Sequence, residues 1–139
     1  MEDNYTEPGL QKREFIRLQQ VIPAAYNLID DLKSLTLSRK SEAVITDISA
    51  GGVRMEIDDL DKTWAGGLYS GAVKLGIEIR LPNVAKPIQA LTRVVWLNKG
   101  PLQTETGKVR YIMGLAFRDI TTVNQDIIED YIIKNYLKD

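Results

Sequence analysis

The chain has 139 residues, 44% of them hydrophobic, a length and composition suited to one compact domain with a modest core. Lys and Arg number 18 against 19 Asp and Glu, so the formal charge of -1 exerts no bulk pull toward DNA, RNA or an anionic membrane surface, and any anion site must be local. Cys and His are both absent, which excludes thiolate nucleophiles, disulfides, Cys/His zinc sites and hydrolytic triads built on imidazole.

In chain order, residues 1 to 10 are polar, contain Pro8-Gly9 and read as a flexible tail. The start Met1-Glu2-Asp3-Asn4 lacks the basic and apolar regions of a secretory signal, and no apolar run approaches a membrane span, so the expected location is the cytoplasm, with no membrane insertion. Six strands are expected at about 20 to 29, 42 to 49, 52 to 58, 72 to 81, 87 to 98 and 108 to 118. Val53, Met55 and Ile57 alternate with Arg54, Glu56 and Asp58, and Val73, Leu75, Ile77 and Ile79 repeat the period of two that one buried sheet face demands. Gly66-Gly67, Gly71, Pro82, Pro87 and Gly100-Pro101 punctuate between them. Many short strands with few helical interruptions point to an antiparallel barrel or sandwich. At the C-terminus Val123, Ile127, Ile128, Tyr131, Ile132 and Leu137 follow a helical period, with Thr122 and Gln125 placed for a capping box, which predicts a helix of about four turns. Its apolar stripe can cover a barrel end or present a dimer or partner surface. No internal repeat or second domain is visible.

Two strings carry the chemistry: Arg13-Glu14-Phe15-Ile16-Arg17 and Asp47-Ile48-Ser49-Ala50-Gly51-Gly52. A spacing of four puts Arg13 and Arg17 on one side in either a helix or a strand, so both guanidinium forks can reach one ligand. Asp47 and Ser49 share a face of an extended segment, and Gly51-Gly52 permits a turn with positive φ or a close backbone approach. An arginine fork pairs bidentately with phosphate oxygens or with guanine O6 and N7, and its face stacks on a base. Asp47 can accept hydrogen bonds from a guanine edge or orient an arginine. Ser49 offers a hydroxyl, and backbone amides near Gly51 and Gly52 can form an anion nest. Lys12 and Arg54 are neighbouring cations whose ordinary role is surface charge, and Trp96 is a strand tryptophan that either joins the core or offers its ring for stacking. Asp58, Asp59 and Asp61 match no calcium loop and read as a solvated turn, so no metal or other cofactor is expected. No recognisable arrangement of acids and bases is present, and an enzyme is not expected.

The pattern RxxxR followed by [D/N]xSxxG resembles the PilZ domain, a small bacterial module whose members bind the second messenger cyclic di-GMP. Arg13 and Arg17 fill the arginine positions, Asp47, Ser49 and Gly52 fill the others, and the strings Leu91 to Trp96 and Ile112 to Phe117 look like that domain's closing strands. The resemblance implies a mainly β fold, a six-stranded antiparallel barrel of the PilZ-like, split-barrel type with a C-terminal α-helix. The implied layout is a tail at 1–10, a barrel with its arginine motif at 11–120, and a helix packed on the barrel at 121–139, in a stand-alone form of the module. It further implies a cyclic di-GMP receptor that changes its surface on binding and acts through an unidentified downstream protein, as a monomer or homodimer, in motility or biofilm regulation. Arg13, Arg17, Asp47, Ser49 and Gly52 would hold the ligand, with Lys12, Gly51, Arg54 and Trp96 as further contacts. Two other readings are a PilZ-like interaction module that works without ligand, and a small barrel for flavin or single-stranded nucleic acid; intact motifs disfavour the first, and near-neutral charge with 7% aromatics disfavours the second.

Overall fold

The computed structural model of the chain describes residues 16–33, 35–58, 60–103 and 109–136; Lys12, Arg13, Asp59 and Leu137 lie outside them. Six strands form one ring: β1 (Leu18–Asp30), β2 (Ser41–Ser49), β3 (Gly52–Ile57), β4 (Val73–Ile79), β5 (Ile88–Gln103) and β6 (Val109–Asp119). Their order around the barrel is β1-β2-β3-β6-β5-β4, with β4 returning to β1 and every pairing antiparallel. Closure gives every strand a hydrogen-bonded neighbour on both sides over part of its length, which reduces the exposed sheet edge.

Alternation fills the interior. Val53, Met55 and Ile57 of β3 are buried while Arg54 and Glu56 face outward, and Leu75, Ile77 and Ile79 of β4 join Ile22, Leu28, Ile45, Ile48, Ile88 and Met113 in the same core. Among the described residues, two polar side chains, Thr92 and Lys74, are buried as well. The Thr92 hydroxyl donates to the Leu75 carbonyl at 2.9 Å, and Lys74 donates to the Gly71 carbonyl at 2.9 Å beside the Asp31 carboxylate at 3.5 Å, so neither is left unsatisfied.

Helix α2 (Thr122–Tyr136) closes the barrel wall at β1 and β2, burying Ile128, Tyr131 and Ile132. The expected stripe is narrower than its period suggests: Val123 is exposed, and Ile127 is only half-buried. The cap also sits one residue earlier, because the Thr121 hydroxyl accepts from the Asn124 amide at 3.1 Å. Gln125 is thereby freed, and its side-chain amide donates to the Ala50 carbonyl at 2.9 Å. The Tyr131 hydroxyl donates to Gln20 Oε1 at 2.6 Å; burial pushes its pKa above the ordinary 10.0, opposed by that hydrogen bond.

Two further features depart from the sequence-based expectation. A 3-10 turn (Lys62–Trp64) runs into helix α1 (Ala65–Ser70), where Gly66-Gly67 had suggested only a turn; Leu68, fully buried under it, supplies the tertiary packing that overrides the glycines' poor helix propensity. β5 also continues through Gly100-Pro101 to Gln103, with an irregular register there that tolerates a proline.

On the outer face, Glu78 accepts from Lys40 Nζ at 2.8 Å, Arg80 Nε at 3.1 Å and Gln89 at 3.3 Å. The Lys40 and Arg80 hydrogen bonds hold its carboxyl below the ordinary Glu value of 4.5, against a smaller opposing effect of burial. A folded pKa below the unfolded one adds stability that is present above the ordinary value and lost as pH falls through the folded one. Glu78→Gln should therefore be less stable than the parent in urea at neutral pH, with the gap closing as pH falls below about 4. A gap that stays constant across the acid range would show that packing, not charge, links these strands.

Candidate functional site

The five motif positions were expected to converge, and the register shows how the described ones do. Asp47 pairs with Arg54 and Arg54 with Gly114, which in turn pairs with Trp96. Ser49 pairs with Gly52, Gly52 with Ala116, and Ala116 with Arg93. Paired residues share a face, so these eight form two parallel rows across β2, β3, β6 and β5, on the outside of the barrel. Three strand spacings of about 4.8 Å make the strip roughly 14 Å wide. A cavity of about 680 Å³ lies over it, lined by these residues together with Arg17, Gly51, Val53, Val95 and Leu115.

Bulges aim the side chains. Between the pairs Ile45–Met55 and Asp47–Arg54, β2 carries one extra residue, Thr46, and without it strict alternation would turn Asp47 into the core with Ile45. Val95 is the extra residue in β5, between the pairs Val94–Leu115 and Trp96–Gly114. It swings Trp96 out of the core parity and onto the same face as Arg93. Of the two readings open to Trp96, the structure takes the surface one.

Small residues make the floor. A Cβ on Gly52 would overlap the Leu115 carbonyl oxygen, and one on Gly114 would strike the indole of Trp96, which rests on that strand. The close approach at Gly52 answers the alternatives left open by the sequence: among the described glycines only Gly71 has positive φ.

Arg17 stands just ahead of β1, with its Nη1 3.8 Å from Asp47 Oδ2; its side chain is 69% exposed, whereas that of Asp47 is 13% exposed. An exposed pair at that length contributes little to stability, so the guanidinium is held near the site while most of its donors stay open. Ser49 serves the turn itself. Its Oγ accepts from the Gly51 amide at 3.2 Å and donates to the Gly52 carbonyl at 3.4 Å, which takes the Gly51 N–H out of any anion nest. Arg54 donates to the Thr46 hydroxyl at 2.8 Å and stands 3.5 Å from Glu56. Among the described residues that line the cavity, three arginines, Arg17, Arg54 and Arg93, stand with one carboxylate, Asp47, and even with Glu56 beside Arg54 this leaves a local excess of positive charge that the near-neutral chain does not advertise.

Sequence reasoning did not single out Arg93, Val95, Gly114 or Ala116 as cavity residues. Arg93 was legible as a cation, next to Thr92, interrupting the apolar residues Leu91 and Val94-Val95-Trp96. Its convergence with Asp47 and Ser49 depends on β5 and β3 both pairing with β6, a long-range fact that no local pattern carries. Arg13 and Lys12 lie outside the described residues. Of the acidic turn, Asp58 accepts from Arg110 at 2.7 Å and Asp61 accepts from the Thr63 amide at 3.0 Å; among the described residues no group of three potential metal ligands occurs.

The family model described as "PilZ domain" matches residues 11–134. No curated protein matches the chain. Among solved structures, the chain is similar to the Bacillus subtilis inhibitor of motility MotI/DgrA (TM-score 0.64, 21% identity, covering 92% of this chain and 52% of that one). It is likewise similar to MrkH of K. pneumonia, a c-di-GMP-dependent transcription regulatory factor (TM-score 0.64, 17% identity, 93% of this chain and 53% of that one). A third match is the PilZ domain of YcgR from Escherichia coli, solved with c-di-GMP (TM-score 0.52, 9% identity, 92% of this chain and 94% of that one). The chain spans about half the length of the first two, and at these identities the likeness is one of fold.

The two floor glycines should respond differently to a methyl group. Gly52→Ala meets backbone that cannot swing away, so it should lower unfolding stability by about 1–3 kcal/mol or more in denaturant titration. Gly114→Ala meets a surface ring that can rotate. In a Trp64→Phe background, where Trp96 is the sole emitter, it should leave the melting temperature within a few degrees but shift the tryptophan emission. Unchanged emission would mean that the ring does not rest on Gly114.

Proposed function

The chain belongs to the PilZ domain family, and from that premise we propose that it is a receptor for cyclic di-GMP, held on the outer strip between the arginine motif and β5. One observation carries the reading: the Arg17 guanidinium, beside the Asp47-to-Gly52 turn, and the pair Arg93 and Trp96 on β5 stand on opposite sides of a floor kept low by Gly52, Gly114 and Ala116. A flat, twice-negative guanine ligand needs those features. The neighbouring structures add support of a general kind, since those of MrkH and the YcgR domain are described as c-di-GMP-dependent or c-di-GMP-bound.

In this account Arg17 leaves its loose contact with Asp47 for phosphate or the guanine O6/N7 edge, and Arg13, by its motif position, closes on the same ligand. Asp47 orients Arg17 or accepts from the guanine N1–H edge. Ser49 keeps the turn in shape, Gly52 leaves the floor open, and Trp96 stacks on a base. Arg54 and Gly51 line the site. The segment before β1 is ordered by the ligand, and the altered surface is read by a downstream protein; the reading includes a tail at 1–10, a barrel at 11–120, a helix at 121–139 and a cytoplasmic setting. No helix among the described residues is long and apolar enough to cross a membrane. The activities of MotI/DgrA and MrkH are those of longer proteins and are not assigned to this chain.

Calorimetric titration tests the reading. Arg17→Ala should cost about 2–4 kcal/mol of cyclic di-GMP binding with the fold intact, and Arg17→Lys should recover little of it, because a point charge cannot replace the planar fork. Cyclic di-AMP should bind at least about a hundredfold more weakly, since its amine replaces the O6 acceptor. Wild-type affinity in the lysine variant would reduce the role of Arg17 to simple charge, and absence of heat with the unsubstituted protein would refute the proposal.

A further inference from the structure

The three arginines that line the cavity are not equivalent. Arg17 is loosely tied to Asp47 at 3.8 Å, and Arg54 is anchored by the Thr46 hydroxyl at 2.8 Å and by Glu56 at 3.5 Å. Arg93 is exposed on the outer face of β5, and among the described residues no carboxylate pairs with it. Its cross-strand neighbour is Ala116, followed by Gly52 and then Ser49, so the space between Arg93 and the motif turn contains no side chain larger than a methyl group until the Ser49 hydroxyl. An exposed cation with no carboxylate of its own, beside an open floor, has its donors available to an anion that arrives from solution.

The spacing suits an anion with two charged groups. Arg93 and the β2 side of the strip are three strand steps apart at the backbone, roughly 14 Å, so a guanidinium on each side can take a separate phosphate of one ligand. A cyclic dinucleotide carries its two phosphodiesters on opposite sides of the macrocycle, and the cavity carries its free cations on opposite walls. The neighbouring outward residue of β5, Trp96, offers a ring to a base, which leaves the adjoining backbone phosphate for the guanidinium.

We propose that Arg93 binds the phosphate farther from Arg17, making the site selective for a ligand with two separated phosphates. The inference rests on the reading of this strip as a cyclic di-GMP site, and it assigns Arg93 to phosphate and not to base recognition.

The experiment measures cyclic di-GMP and 3′,3′-cyclic GMP–AMP binding to wild type and Arg93→Gln by calorimetry at two salt concentrations, with melting temperature as the control for folding. The two ligands share their phosphates and differ in one base. Arg93→Gln should weaken both by the same factor, about tenfold or more, leaving their affinity ratio unchanged and reducing the salt dependence of binding. Equal affinity of wild type and Arg93→Gln for cyclic di-GMP would overturn the assignment alone. A loss confined to cyclic di-GMP, with the ratio collapsing toward one, would also overturn it by moving Arg93 to the base edge. Failure of the wild-type protein to bind either ligand would overturn the cyclic di-GMP reading and this inference together.

Discussion

Everything at the candidate site depends on the pairing of β3 with β6 at a point where no side chain is admitted between the strands. Gly52 lies so close to the Leu115 carbonyl that a methyl group has no room, and the same ladder sets Arg54 opposite Gly114. That contact joins β1-β2-β3 to β6-β5-β4 and so closes the barrel. It also brings the Asp47-to-Gly52 turn within reach of Arg93 and Trp96, some forty residues later in the chain. One constraint therefore builds both the fold and the floor.

Helix α2 supports the same region from outside the strip. Gln125 holds the Ala50 carbonyl within the motif turn, and Tyr131 holds Gln20, close to where Arg17 enters β1. The two walls that meet at the Arg17–Asp47 contact are thus each fastened to one helix whose buried side, Ile128 and Ile132, belongs to the barrel core. The helix keeps the walls in place while Arg17 itself stays loosely held. Rigid walls and a loosely held cation are the combination a binding site for a small anion requires, because the ordering cost falls on few residues.

Much of this was legible in the sequence, for identifiable reasons. Alternation is strict in β3 and broken in β4 only by the buried Lys74; each of those strands buries one face along its whole length, and their placement follows from the period of two. The motif strings place Asp47 and Ser49 on one outward face, and the structure keeps them there. What local pattern did not show arises where the period breaks. The Thr46 and Val95 bulges change parity, and the second sends Trp96 outward from a run, Val94-Val95-Trp96, that reads as uniformly apolar. Helix α1 contradicts its glycines because Leu68 is buried beneath it, and the cap of α2 falls on Thr121 because Gln125 has a better partner in the Ala50 carbonyl. Arg93 escaped notice because its neighbours in space come from strands far away in sequence.

A cyclic di-GMP bound along the outer strip from β2 to β5 would be mapped by residue-resolved NMR titration. Amide shifts should concentrate at residues 17–19, 47–54, 93–96 and 114–116, saturating together, while α1 and the turn between β4 and β5 remain unchanged. Shifts that cluster around α1 or the β4–β5 turn, or a spectrum that does not respond at millimolar ligand, would contradict this placement.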